Sequence, residues 1–224
     1  MINKRRRLSR LSSAFGLALI ASLAMGALAA GNASALKLDP APVQTVFALS
    51  SGTVLQSGAG GETTCTSSSS KSSGRFYTGG AAGEVKITFE GCTYGSGTKC
   101  SSAGQPAGTV VTSMLDLKPV YTNAAHTEFG LLLTPRGTNV FAEMTCAFGL
   151  IKRTWTGSVI DQVTSPGLNV SAPQFTLGFN NYGQIDGAGT KYILHETLSG
   201  GGEADLELVS SQTMTFGEAK KFVP

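Results

Sequence analysis

The chain has few side chains that can do chemistry: four cysteines, Cys65, Cys92, Cys100 and Cys146, and two histidines, His126 and His195, in 224 residues. A zinc site calls for close pairs such as Cys-x2–4-Cys with histidine nearby. Here the gaps are wider and the histidines lie elsewhere. No Cys-x-x-Cys is present for thiol redox work. No Gly-x-Ser-x-Gly occurs, and neither histidine has a serine placed locally to activate. "GQIDGAGTKY" (183–192) has glycines and a lysine but not the Gly-Lys-Ser/Thr order of a phosphate loop, so it reads as a turn. "NNYGQID" (180–186) offers oxygen ligands without the spacing of an EF-hand loop. No cofactor and no metal are expected.

An even set of cysteines in an exported chain is a disulfide framework. Four cysteines allow three pairings. The expected one is Cys92–Cys100, closing the glycine turn of "CTYGSGTKC", with Cys65–Cys146 tying an early strand to a central one. The chain-entropy model gives about 2.6 kcal/mol for the short loop and about 4.5 kcal/mol for the long one.

The remaining chemical motif is "EADLE" (203–207). On a strand, Glu203, Asp205 and Glu207 share one face. The stretch resembles the Glu-x-Asp-x-Glu signature of jelly-roll β-glucan hydrolases with retaining chemistry. That resemblance implies Glu203 as nucleophile, Asp205 as its helper and Glu207 as acid/base, and carboxylates about 5–5.5 Å apart suit a covalent glycosyl intermediate. Those enzymes line their cleft with tryptophans, whereas this chain has Trp155 alone. The competing reading is a strand with Ala204, Leu206 and Leu208 inward and the acids outward as solubilising charges.

The hairpin around the motif decides between these readings. Tyr192, Leu194 and Leu198 want the core, as do Ala204, Leu206 and Leu208, and all six are even-numbered. Opposed residues in a hairpin share a face, so the connecting loop must have an odd length. Three loop residues (199–201) set Leu194 opposite Leu206 and His195 opposite Asp205. Five set Leu194 opposite Leu208 and His195 opposite Glu207. Either way His195 stands among carboxylates on the wet face.

These residues must be carried by strands. Val85, Ile87 and Phe89 alternate with polar neighbours, as do Phe129, Leu131 and Leu133, and Val140, Ala142, Met144 and Cys146. β-rich runs continue over 151–163, 172–179, 190–198, 203–211 and 212–218, with Gly, Asn, Ser and Pro between them. Amphipathic helix patterns are nearly absent. "TSSSSKSSG" (66–74) reads as a surface loop and "LSGGGE" (198–203) as a hairpin tip. The expected class is all-β, an antiparallel β-sandwich or flattened barrel.

The first 35 residues have the parts of a secretory signal peptide. Lys4, Arg5, Arg6, Arg7 and Arg10 form a basic head, an apolar run spans about 15–30, and Ala33-Ser34-Ala35 fits a cleavage site. Ala27-Leu28-Ala29 is a second candidate. Residues 36–224 are then a single domain. Five of the 17 bases and none of the 14 acids fall in the signal, leaving 12 bases and 14 acids, a net of −2. Without a basic stripe, nucleic-acid binding loses its main physical support. No second apolar run is long enough to span a membrane.

"ETTC", "GEVKITFEGCTYGSGTKC", "GTVVTSMLDL", "FGLLLTPRG" and "VFAEMTCAFG" together resemble a pattern in uncharacterised exported proteins of high-GC Gram-positive bacteria. The resemblance implies secretion and paired cysteines, and carries no activity. The expectation is a secreted, disulfide-stapled β-domain with a non-catalytic binding or structural role at the cell envelope or exterior, and a partner located there. A barrel-type carrier is an alternative, since 11 phenylalanines could line an apolar cavity. The third reading is the hydrolase built on Glu203, Asp205 and Glu207.

Overall fold

A computed structural model describes residues 35–41, 43–58, 61–71, 73–95, 97–179 and 184–224. The proposed signal segment lies outside the described residues except for Ala35, as do the first four residues of "NNYGQID". Strands occur wherever apolar and polar residues alternate. In chain order they begin β1 (Lys37–Asp39), β2 (Thr45–Ser51), β3 (Val54–Gly58), β4 (Gly61–Cys65), β5 (Ser67–Ser69), β6 (Gly74–Phe76) and β7 (Gly83–Val85). Then come β8 (Thr88–Glu90), β9 (Thr93–Tyr94), β10 (Thr98–Ser101), β11 (Val110–Val111), β12 (Leu115–Tyr121), β13 (Phe129–Pro135) and β14 (Val140–Cys146). The last are β15 (Ile151–Gly157), β16 (Val159–Ser165), β17 (Ala172–Phe179), β18 (Gln184–Ile185), β19 (Lys191–Tyr192), β20 (Leu194–Leu198) and β21 (Glu203–Val223). The only helical turn among the described residues is a short 3-10 turn, Ala147–Gly149.

The all-β antiparallel expectation holds, and of its two forms the barrel is the one present. Eight strands close a ring in the order β2, β6, β7, β12, β13, β16, β17, β21 and back to β2. A second ring runs β3, β4, β9, β10, β14, β15, β20, β21 and back to β3. The two rings follow one another along a single strand. They share β21, whose first third belongs to the second ring and whose remainder belongs to the first. Ring closure pairs the backbone groups that an open sheet leaves at its edges.

The 21 residues of β21 were expected as two runs, 203–211 and 212–218. They form one strand because inward alternation runs straight through the expected break at 211–212: Leu206, Leu208, Ser210, Gln212, Met214 and Phe216 are all buried, and it is interrupted only at exposed 217–219, where the register with β17 shifts. The serine-rich patch was expected as a surface loop, and this is corrected too. Its Ser67–Ser69 is a strand between β2 and β8, with Ser68 and Ser70 buried. Hydroxyls satisfy this burial: the Leu49 N–H donates to Ser70 Oγ at 3.0 Å, and the Ser51 and Ser68 hydroxyls pair at 2.8 Å.

Aromatic side chains fill the first ring. Phe47, Phe76 and Phe216 pack against one another, and Phe222 touches Phe76, Phe129 and Phe175 at centroid distances of 5.0–6.0 Å. Gly74 is needed here, because a Cβ at that position would fall 2.4 Å from the Phe47 ring. Strand β1 pairs with the end of β21, Leu38 opposite Phe222, and buries Leu36 and Leu38. The unit that includes these strands begins at Ala35.

Candidate functional site

The second ring carries both the motif read from the sequence and a cluster that the reading missed. Its hairpin β20–β21 has the register of the three-residue loop: Leu194 opposes Leu206, and His195 opposes Asp205. Leu206 and Leu208 point inward, while Glu203 and Asp205 stand on the outer wall, each more than half exposed. Glu207 is half-buried opposite Ser57. The His195 Nδ1 lies 3.2 Å from Asp205 and 3.6 Å from Glu203. The three acids therefore line the convex outside of a barrel, with a histidine as partner. A retaining hydrolase needs a cleft that can hold a sugar between two carboxyls. Among the described residues no three His, Cys, Asp or Glu side chains converge to hold a metal ion.

The inner face of the same hairpin holds the missed cluster. Trp155 opposes Glu196 across β15 and β20, and Arg153 lies two residues before Trp155 on the same face. Arg153 and Glu196 are wholly buried and Trp155 nearly so. The Arg153 guanidinium donates through Nε to Glu196 Oε1 at 2.6 Å, through Nη2 to the Gly61 carbonyl at 2.9 Å, and through Nη1 to the Thr63 hydroxyl. The Trp155 Nε1–H donates to Glu196 Oε1 at 3.3 Å, and the Tyr94 ring lies 5.3 Å from the guanidinium carbon. Gly58 leaves room for the carboxylate, since a Cβ there would sit 2.5 Å from Glu196 Oε2. Parity alone could have found the acid. Position 196 lies between Leu194 and Leu198 on the face already assigned to the core. A buried ion pair gains little over apolar residues of the same volume, but losing one partner leaves an uncompensated buried charge.

The disulfides join Cys65 to Cys92 and Cys100 to Cys146, so the expected Cys92–Cys100 and Cys65–Cys146 pairing is corrected. All four cysteines form one row across β4, the start of the β9–β10 hairpin, β10 and β14. The Cys100 N–H donates to the Cys92 carbonyl at 3.0 Å. A hydrogen-bonded antiparallel pair holds its Cα atoms about 5.5 Å apart, and the alternating non-bonded pair about 4.5 Å. The narrow sites are the ones bridged, with Cα separations of 3.9 and 4.1 Å.

The first ring encloses a carboxyl of its own. Asp161 on β16 lies between Val159 and Val163 on the inner face, opposite Leu131, and its Oδ1 has no hydrogen-bond partner. Burial pushes this carboxyl well above its ordinary 3.8. The folded chain thus keeps a proton that the unfolded chain releases above about pH 4. Stability should then fall as pH rises from that point toward the folded-state value, with a slope of up to about 1.4 kcal/mol per pH unit. Asp161→Asn should abolish the slope and be the more stable protein at alkaline pH. Urea unfolding of both proteins at mildly acidic and mildly alkaline pH measures this, and parallel pH dependence of the two would refute it.

On the outer wall of the first ring, Arg75, Glu84 and Asp116 form a cross-strand row, joined by Arg136. The Tyr77 hydroxyl, which donates to Glu84 at 2.7 Å, and the Arg136 and Arg75 guanidiniums hold the Glu84 carboxyl below its usual range against the opposing effect of burial. The cluster clasps β6, β7 and β12 together.

Comparison with known protein families, curated proteins and solved structures gives no match for this chain.

Proposed function

We propose that this chain is an exported, disulfide-stapled β-barrel module with a non-catalytic binding or structural role at the cell envelope or exterior. The observation that carries the reading is how the rings are filled. Phenylalanines occupy the first ring, and two disulfides with the Arg153–Glu196 pair occupy the second. Side chains packed inside a small barrel take the space a ligand would need, which weighs against a carrier of apolar ligands. Disulfides belong to oxidising compartments. The basic head and apolar run ahead of Ala35 supply the route, and the packed unit begins at that residue. Among the described residues no helix is long and apolar enough to cross a membrane.

Fractionation of an expressing bacterial culture tests the proposal. The protein should appear outside the cytoplasm with Leu36, or Ala30 if the second site is used, as its first residue and with no thiol open to labelling. Retention of Met1 in a cytoplasmic, thiol-reactive protein would overturn export. Cleavage of a soluble β-glucan that disappears in Glu203→Gln would overturn the non-catalytic role.

A further inference from the structure

Four strand connections lie at the far end of the second ring: β3 to β4, β9 to β10, β14 to β15 and β20 to β21. Three are made of glycine, serine and alanine. The fourth, "AFGL" (147–150), differs: Phe148 is fully exposed and Leu150 is 82 % exposed, the two most exposed large apolar side chains among the described residues. Ala147 and Phe148 also adopt positive φ, 52° and 55°. The left-handed region is costly for residues with a side chain and persists where the surroundings impose it. This turn therefore holds a phenylalanine out into solvent at a conformational cost. Beside it lies a groove of about 510 Å³ lined by Thr98, Lys99, Ala107, Thr145 and Phe148 itself.

Two lysines stand nearest this turn. Lys99 on β10 and Lys152 on β15 flank the turn, on the two strands adjacent to β14. Among the described residues Lys99 is the only charged one lining the groove, and Lys152 makes an exposed ion pair with Glu143 at 3.3 Å. Glu143 on β14 stands farther from the rim, two residues before Thr145, and the other acids of this end, Glu62 on β4 and Glu203 on β21, are each three strands away from β14 around the ring. Glu203 is engaged by His195. One side of the rim thus offers two apolar side chains on a convex tip between two cations. A second copy docking on this tip would bring a second Lys99 and Lys152 into the same contact and add no acid nearer than Glu143. An anionic lipid surface satisfies both features, because acyl chains accept the apolar residues and headgroups accept the lysines.

We propose that the 147–150 turn is a membrane-surface anchor that inserts Phe148 and Leu150 into a bilayer bearing anionic headgroups, with Lys99 and Lys152 at the phosphate level. The inference rests on the exported-module reading and names the partner of that module. Its test is flotation of the exported protein with vesicles of equimolar phosphatidylglycerol and phosphatidylcholine, against vesicles of phosphatidylcholine alone. The protein should float with the first and much less with the second. Loss of a buried phenylalanine should weaken binding by roughly ten- to a hundredfold in Phe148→Ser. Lys99→Glu should weaken binding by about fivefold or more, on anionic vesicles only. Phe148→Trp should keep binding and shift its emission to the blue on adding anionic vesicles, against the constant signal of buried Trp155. Failure of the wild type to float, or equal flotation of wild type and Phe148→Ser, would overturn the anchor. An exported protein that ignores vesicles refutes the anchor alone, whereas a protein that stays in the cytoplasm refutes the reading beneath it.

Discussion

Glu196→Ala should be the most damaging single substitution in the second ring, costing about 3–5 kcal/mol, because it strands the buried Arg153 guanidinium without its counter-charge. The partners that remain, Thr63 and the Gly61 carbonyl, can accept hydrogen bonds but cannot neutralise a charge. Replacing both partners, Arg153→Met with Glu196→Leu, removes both desolvation costs together. It should return most of the lost stability, so the two substitutions couple strongly and favourably. Gly58→Ala should act on the same pair from the other side, since its methyl would lie against Glu196 Oε2. Urea unfolding of Arg153→Met, Glu196→Leu and the double variant closes the cycle. Additive single effects, or a Glu196→Ala protein as stable as wild type, would show that the pair does not share one buried site.

The second large effect belongs to the disulfides. The Cys100–Cys146 bridge spans 46 residues and the Cys65–Cys92 bridge 27. In the chain-entropy model they stabilise by about 4.0 and about 3.6 kcal/mol. The double variant Cys100→Ala/Cys146→Ala should therefore lose slightly more than Cys65→Ala/Cys92→Ala, and loss of both bridges should bring the second ring close to unfolding. Non-reducing digestion should release one peptide pair holding Cys65 with Cys92 and another holding Cys100 with Cys146. A peptide with Cys92 bridged to Cys100 would contradict the arrangement and lower the expected cost, because that loop is short.

Local alternation made much of the hairpin around "EADLE" legible. The even-numbered positions 194, 198, 206 and 208 could face one way only if the loop was odd, and the observed register follows from that. The same logic put Glu203 and Asp205 outside with His195. It extended to Glu196 as well, but a charged residue at an inward position is usually given to solvent unless a partner is known, and Arg153 is 43 residues away in the chain. The serine patch failed for a related reason. Serine is polar by composition, yet its hydroxyl can be satisfied inside a barrel by a backbone amide, as Leu49 does for Ser70.

By itself, the sequence determined what depends on neighbours along the chain: most strand positions, the faces of the apolar residues, the hairpin loop at 199–201, and the presence of an even cysteine set with a basic head and an apolar run ahead of it. Tertiary structure alone decided what depends on which strand lies beside which. It closed two rings rather than stacking two sheets, because β21 is long enough to serve both and each ring needs a last strand to pair with its first. It chose the disulfides, because all four cysteines sit in one row and only the alternation of wide and narrow pairs across adjacent strands says which neighbours can be bridged. It also brought Arg153 onto Glu196, because a buried charge is stable only where a distant strand delivers its opposite.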